Sequence, residues 1–349
     1  MRFSLELIPE HPVAELMEAI ELAEELGFYG CYGADEIYHK DVWQILATAA
    51  TRTTKIRLGL GATHVILRDP TFVAQAIATL DELSGGRALA ALGIGNVAML
   101  GQYGVDVKTS RPLARLREAH AVVRTMLDEG QVDYEGEFYR YRSVFTAARP
   151  VQPHVPVLIA ATQGPRTFEL GGEVADGLYA AGAYSHEALE YAASHFRVGA
   201  EKVGRDWTGL DATAGVLGVV AGDSAAAKQA ARVLVAFYIP SKPRKLVERH
   251  GIAFGDVQPV ADAFRSGDIQ RAIELTTPEL AERFAYAGTP DEWIERIRAD
   301  VATTGFANLV ITFGDPFLIE LWSKRKVDGV PDLKGQLTLI AEKVMPAFV

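Results

Sequence analysis

Two hydropathy patterns alternate along the chain. Short runs that are apolar almost throughout are separated by longer segments whose apolar residues recur on a helical period. The first run, Arg2-Phe3-Ser4-Leu5-Glu6-Leu7-Ile8, reads as a strand. Segment 12–26 then places Val13, Leu16, Met17, Ile20, Leu22, Ala23 and Leu26 on one helical face and stops at Gly27. The alternation continues with strands at 29–33, 55–61, 87–93, 155–160, 177–181, 212–220 and 307–313. Helices are expected between them, among them 42–50, 70–83 and 112–128. Because the strands lack period-two polarity, they read as buried on both faces of a parallel sheet. Eight such strands with intervening helices predict an α/β fold, a closed (β/α)8 TIM barrel, over a doubly wound sheet.

Two segments break the rhythm. Segment 131–153, with Tyr134-Glu135-Gly136-Glu137-Phe138-Tyr139 inside it, alternates as a small added hairpin outside the barrel would. Segment 224–287 is too long for one crossover and predicts a helical insertion covering one barrel end. No linker-like shift in composition occurs, so residues 1–349 read as a single domain.

Composition narrows the function. The chain is 49% hydrophobic, and 45 acidic against 35 basic residues give a formal charge of −10, which offers no footprint for nucleic acid or an anionic membrane. Its one cysteine, Cys31, lies in an apolar run and reads as a buried structural thiol. With no leader-like start and no apolar run long enough to span a bilayer, the expectation is a cytoplasmic protein.

Glu6 is the residue that most invites chemistry. A carboxylate inside an apolar strand is solvated at an edge, paired or employed, and desolvation would raise its pKa toward the range a general acid needs. In a barrel, ligands meet the carboxyl ends of the strands. The polar residues expected there are Glu6, Asp35 and Glu36, Thr63 and His64, Asn96, and Thr162 with Gln163. Gly59-Leu60-Gly61-Ala62-Thr63 would let the backbone bulge toward a flat ligand, or mark a tight barrel bend. Gly93-Ile94-Gly95-Asn96 lacks the third glycine of a dinucleotide loop, so a Rossmann fingerprint is rejected. Thr162-Gln163-Gly164-Pro165 joins a strand to a helix, where backbone amides can cradle a phosphate or simply punctuate the turn. Tyr38, His39 and Trp43 follow the second strand, within reach of a ligand. Neither HExxH spacing nor an acidic box appears, so no metal is expected, and no GxSxG or cysteine nucleophile is present.

With these residues placed, the chain resembles the luciferase-like flavin and deazaflavin oxidoreductases, above all their methylenetetrahydromethanopterin reductase branch. The resemblance runs through Phe3-Ser4-Leu5-Glu6, Ala34-Asp35-Glu36, the stretch from Ile77 through Leu80-Asp81-Glu82-Leu83-Ser84-Gly85-Gly86-Arg87, and Gly93-Ile94-Gly95. It continues in Gln163-Gly164-Pro165, Gly172-Glu173-Val174-Ala175-Asp176-Gly177, Val235-Ala236-Phe237, Val247-Glu248-Arg249-His250-Gly251 and Gly288-Thr289-Pro290-Asp291-Glu292. It implies a TIM barrel binding the deazaflavin coenzyme F420, with a cis peptide at Gly61-Ala62. Asp35, Thr63, Gly95 and Asn96 would then surround the coenzyme rings, and Thr162, Gln163, Gly164 and Pro165 would lie near its phosphate. Glu36, His39 and Gln163 would meet a pterin or folate substrate, and the protein would form a homodimer or larger homo-oligomer.

The reaction expected from this resemblance is hydride transfer from reduced F420 to a methylenetetrahydropterin, of either the methanopterin or the folate type, with Glu6 as proton donor. The alternatives are an FMN-dependent monooxygenase of the same superfamily and a non-catalytic flavin-binding barrel.

Overall fold

A computed structural model describes residues 1–107 and 109–349. Among the described residues there are eleven strands: β1 (Arg2–Leu7), β2 (Gly30–Gly33), β3 (Arg57–His64), β4 (Ala88–Gly93), β5 (Gln131–Glu135), β6 (Arg140–Phe145), β7 (Val157–Ala161), β8 (Gly177–Ala181), β9 (Asp211–Val220), β10 (Ala285–Gly288) and β11 (Asn308–Phe313). Eight of them close into a ring in the order β1-β2-β3-β4-β7-β8-β9-β11 and back to β1. Every pairing in that ring is parallel. These are the eight strands expected from the sequence.

Alternation along β1 sets the layers. Phe3, Leu5 and Leu7 pack outward with Leu16 and Ile20 of the helix Val13–Glu25. Ser4 and Glu6 point the other way, and Ser4 Oγ donates to Asn308 Oδ1 on the neighbouring strand β11 at 2.9 Å. Asn308 in turn donates to the Tyr32 hydroxyl at 3.2 Å and Thr213 Oγ1 at 3.3 Å. Tyr32, Leu89, Ala91, Leu158, Tyr179 and Val310 fill the interior, so the barrel is a packed core with a floor.

The stretch Leu80 to Arg87 has a structural explanation. Buried Arg87 donates to the carbonyls of Ala50, Thr53, Ile56 and Ser84, while buried Asp81 accepts from the amides of Ala88, Val151 and Gln152. Both side chains knit the entrance to β4, at the amino end of the strands, far from any mouth chemistry.

The hairpin β5–β6 lies outside the barrel as expected. The Tyr139 hydroxyl fastens it to the Val65 carbonyl at 2.5 Å, and the Tyr141 hydroxyl fastens it to Asp69 Oδ2 at 2.8 Å. The insertion supplies helices Ser224–Tyr238, Arg244–Arg249, Phe254–Arg265, Ile269–Leu275 and Pro278–Phe284. One correction applies. Its last residues are not helical: Ala285–Gly288 form β10, which extends the sheet along the final four residues of β9. Four residues following a helix without a break are too few to display a strand period. Residues Thr63 and His64 also lie within β3 rather than after it, because the strand continues beyond a bulge between Gly61 and Thr63. No helix among the described residues is long and apolar enough to cross a membrane.

Candidate active site

Glu6 sits near the carboxyl end of β1, level with Tyr32 on one side and Thr312 on the other. It keeps a little surface open to the barrel mouth, yet protein surrounds its carboxylate. Burial raises its pKa to about 7 against two opposing hydrogen bonds, from the hydroxyls of Thr312 and Tyr179. The Thr312 hydroxyl donates to Glu6 Oε2 at 2.5 Å. Tyr179 can stand there because position 215 is glycine: a Cβ on Gly215 would lie 2.7 Å from the Tyr179 hydroxyl oxygen. The charge of Glu36 raises the Glu6 pKa further and that of Lys242 lowers it.

Lys242 comes from the insertion. Its ammonium lies 5.5 Å from the Tyr184 ring centre and 5.4 Å from that of Tyr238, and burial lowers its pKa to about 8 despite the nearby carboxylates Glu6 and Glu36. Burial also pushes the Tyr179, Tyr184 and Tyr238 phenols above their ordinary range. The insertion is tied to the barrel by His250, buried and held neutral by a pKa near 4, whose ring nitrogens lie 3.0 Å from Ser185 Oγ and 3.2 Å from the Gly182 carbonyl.

A second cluster surrounds the bulge in β3. The peptide Gly61-Ala62 is cis, and the Ala62 carbonyl accepts from the Asp35 amide at 3.2 Å. The buried Asp35 carboxylate accepts from Thr63 Oγ1 at 2.8 Å and Trp43 Nε1 at 3.1 Å, and Arg68 Nε lies 2.7 Å from it. Asp35 therefore braces the bulge with its side chain already engaged. Beyond it, Asn96 caps the helix Val97–Gln102 through the amides of Ala98 and Met99 and donates Nδ2 to Glu36 Oε1 at 3.1 Å. Methyl groups line the floor between these clusters: Ala62, Ala160 and Ala181 lie partly open above Tyr32 and Tyr179.

At the fifth barrel strand, Thr162 is exposed, and Gln163 and Gly164 are half-buried. Gly164 opens the helix Pro165–Val174 with no side-chain cap, and Pro165 has no amide hydrogen to satisfy. Arg249 comes within 3.5 Å of the Gln163 carbonyl, with its guanidinium 3.4 Å from the Tyr191 ring centre.

The model of the family described as luciferase-like monooxygenase matches residues 1–308. The chain belongs to the luciferase-like family. Over 350 residues, covering 99% of each chain, it is 30% identical to the 5,10-methylenetetrahydromethanopterin reductase of Archaeoglobus fulgidus. The reductase of the same name from Methanopyrus kandleri is 29% identical over 359 residues, covering 99% of this chain and 98% of that one. The solved structure of the coenzyme F420 dependent tetrahydromethanopterin reductase from Methanopyrus kandleri superposes with a TM-score of 0.89 at 28% identity, covering 100% of this chain and 99% of the other. An F420-dependent secondary alcohol dehydrogenase shares the fold, with a TM-score of 0.80 at 19% identity.

In this luciferase-like barrel, Glu6 and Glu36 face the same mouth, as do the residues of the Gly61-Ala62 bulge. His39 stands back from Glu6, bridging toward Glu10. Lys242, Tyr179, Tyr184 and Thr312 are site residues that the sequence reading missed. Thr312 had a signal, a hydroxyl at the end of the last apolar strand; Lys242 had none, lying in an insertion whose docking the chain pattern does not encode. Among the described residues, no group of three or more histidine, cysteine or acidic side chains is placed to hold a metal.

Proposed function

We propose that this protein is an F420-dependent 5,10-methylenetetrahydropterin reductase. The observation that carries the reading is Glu6, a carboxyl group that keeps a large protonated fraction near neutrality at the mouth of a barrel resembling such reductases along its whole length.

The residues present fit the coenzyme. A floor of methyl groups from Ala62, Ala160 and Ala181 suits a planar ring system. A Cβ on Gly93 would stand 3.5 Å from that of Ala160 and 3.6 Å from that of Ala62, in ordinary contact with the same floor. The uncapped helix start at Gly164 and the nearby Arg249 suit its phosphate. On this reading Thr63, Gly95 and the Gly61-Ala62 bulge hold the rings, with Asp35 and Asn96 keeping that wall in shape.

When bound, reduced F420 supplies a hydride. The protein's own contribution is the proton. The methylene carbon accepts hydride poorly until the substrate's five-membered ring opens, and opening requires a proton on the departing nitrogen. Glu6 donates that proton from its carboxyl group and becomes a carboxylate, which Thr312, Tyr179 and Lys242 then stabilise. The net change is one hydride and one proton added to give the methyl-tetrahydropterin. Covering the mouth would keep water from the opened ring, and on this reading the insertion bearing Lys242 and Tyr238 contributes to that cover.

The test is anaerobic oxidation of reduced F420 with the methylene forms of tetrahydromethanopterin and of tetrahydrofolate in turn. Turnover with at least one supports the reading and identifies the pterin. Turnover with neither, together with oxygen uptake on reduced FMN, overturns it.

A further inference from the structure

On the reductase reading, on which this inference rests, the coenzyme lies over the ends of β3, β4 and β7, and the reacting atoms of the substrate meet Glu6 on β1. Lys242 stands on the other side of the mouth, over the end of β8. The Tyr179 hydroxyl, which donates to Glu6, lies over Gly215, and the Gly215 carbonyl accepts from the Gly182 amide at 3.3 Å. Over Gly182 in turn stand the Tyr184 hydroxyl oxygen and Lys242 Nζ, 3.4 Å and 3.6 Å from where a Cβ would lie. Lys242 therefore enters the mouth beside the proton donor.

Its ammonium is held in place without being satisfied. The Lys242 amide donates to the Ile239 carbonyl at 2.8 Å, which closes the turn Ile239–Ser241, and Ile239 is buried in the core. Tyr184, one of the two rings beside the ammonium, is itself packed against His250 at 5.7 Å and Phe284 at 6.2 Å. Among the described residues, however, no oxygen accepts a hydrogen bond from Lys242 Nζ and no carboxylate pairs with it. Lys228 of the same insertion shows the ordinary case, reaching Glu292 Oε1 at 2.9 Å and Glu282 Oε1 at 3.5 Å. An ammonium carries donors that an aromatic face does not replace, and leaving them without an acceptor in a partly desolvated place is costly. With its pKa lowered only to about 8, Lys242 is still mainly an ammonium at neutral pH, and the residue is half-buried, so a ligand in the mouth can reach it.

The substrate has the missing acceptor in the right place. In a methylenetetrahydropterin the lactam carbonyl lies on the same edge of the ring as the nitrogen that carries the methylene bridge, so it comes close to Glu6 when Glu6 protonates the departing nitrogen. Charges in the tail lie beyond an aryl ring, farther from the reacting atoms. We propose that Lys242 is a substrate-binding residue whose ammonium donates a hydrogen bond to the lactam oxygen of the pterin ring. Lys242 then acts on two neighbours, on Glu6 through its charge and on the ring through a direct contact. Because the methanopterin and folate types share this carbonyl, the contact selects for the pterin ring itself and does not choose between them.

The test compares two bare rings, tetrahydropterin and the diamino analogue in which an amino group replaces the lactam oxygen, as competitive inhibitors of hydride transfer. It uses wild type, Lys242→Met and Lys242→Arg, with F420 affinity measured on the same preparations by calorimetry. Wild type should bind tetrahydropterin tighter than the diamino ring by about tenfold or more, the size of a hydrogen bond to a charged group. Lys242→Met should reduce that preference to within about threefold, with F420 affinity within about twofold of wild type, and Lys242→Arg, which keeps a charged donor, should retain most of it. Lys242→Ala gives the same reading where Lys242→Met fails to fold. An undiminished preference in Lys242→Met or Lys242→Ala would overturn the contact, as would a wild type that does not distinguish the rings. Equal loss in Lys242→Met and Lys242→Arg would assign the effect to packing against Tyr184 and Tyr238 and overturn it too. Weakened F420 binding with an unchanged ring preference would place Lys242 on the coenzyme. Each of these leaves the reductase reading intact, whereas a wild type that turns over neither methylene-pterin would overturn both.

Discussion

Thr312 and Glu6 face each other across the seam where the last barrel strand meets the first, with the threonine hydroxyl donating to Oε2 at 2.5 Å between residues 306 positions apart. Closure of the barrel creates this pair. A hydroxyl donor favours the charged carboxylate and burial favours the neutral acid; burial is the larger effect, so the Glu6 pKa rises to about 7. The result is an acid that holds its proton near neutrality and has a donor ready for the anion it becomes.

Removing the donor should raise the pKa further. In Thr312→Val the carboxylate loses a charge-assisted hydrogen bond, typically about 1.5–3 kcal/mol, so the alkaline limb of hydride transfer should move up by roughly one pH unit or more. A pH profile of single-turnover rates checks this. A limb that moves down would show that Thr312 stabilises the neutral acid.

Lys242 acts on Glu6 with the same sign through its charge. Lys242→Met should move the alkaline limb upward, and Lys242→Arg, which keeps a cation, should leave it near the wild-type position. The same profile measured on both variants separates loss of charge from loss of packing against Tyr184 and Tyr238.

The raised Glu6 pKa also carries a stability cost with a definite pH window. Below about pH 4.5 Glu6 is protonated both folded and unfolded and costs nothing. As pH rises toward about 7 the unfolded chain ionises first, and the folded state loses stability relative to it, by at most about 3 kcal/mol above pH 7. Glu6→Gln removes this dependence. Its melting temperature should match wild type at pH 4.5 and exceed it at pH 8, as thermal denaturation at the two pH values would show.

Arg87 makes the opposite case, a family-motif residue whose work is structural. Arg87→Leu would leave the buried carbonyls of Ala50, Thr53, Ile56 and Ser84 without their donor, a loss of about 3 kcal/mol or more. We expect a clear fall in melting temperature, with turnover per folded molecule close to wild type.

Much of this was legible in the chain. The eight apolar runs gave the barrel because buried parallel strands lack alternation, and Glu6 stood out because an acid in such a run is conspicuous. The strand β10 was hidden by its brevity. Asp35 and Asn96 were recognisable as mouth residues, but the sequence does not show their hydrogen-bond partners. Asp35 holds Thr63, Trp43 and Arg68, and Asn96 caps a helix. Lys242 and Tyr238 were invisible for a different reason: they belong to a long insertion whose docking the chain pattern does not encode, whereas Tyr179 lies on β8 and Tyr184 just after it, read only as part of an apolar strand and its loop.

The most direct test of Glu6 as proton donor is single-turnover hydride transfer by Glu6→Gln, with coenzyme affinity measured on the same folded preparation. Glutamine keeps size and polarity and removes the acid. Transfer to the methylene-pterin should slow by about 10²–10⁴-fold while F420 affinity changes little. Near-wild-type transfer by Glu6→Gln would contradict the proton-donor role.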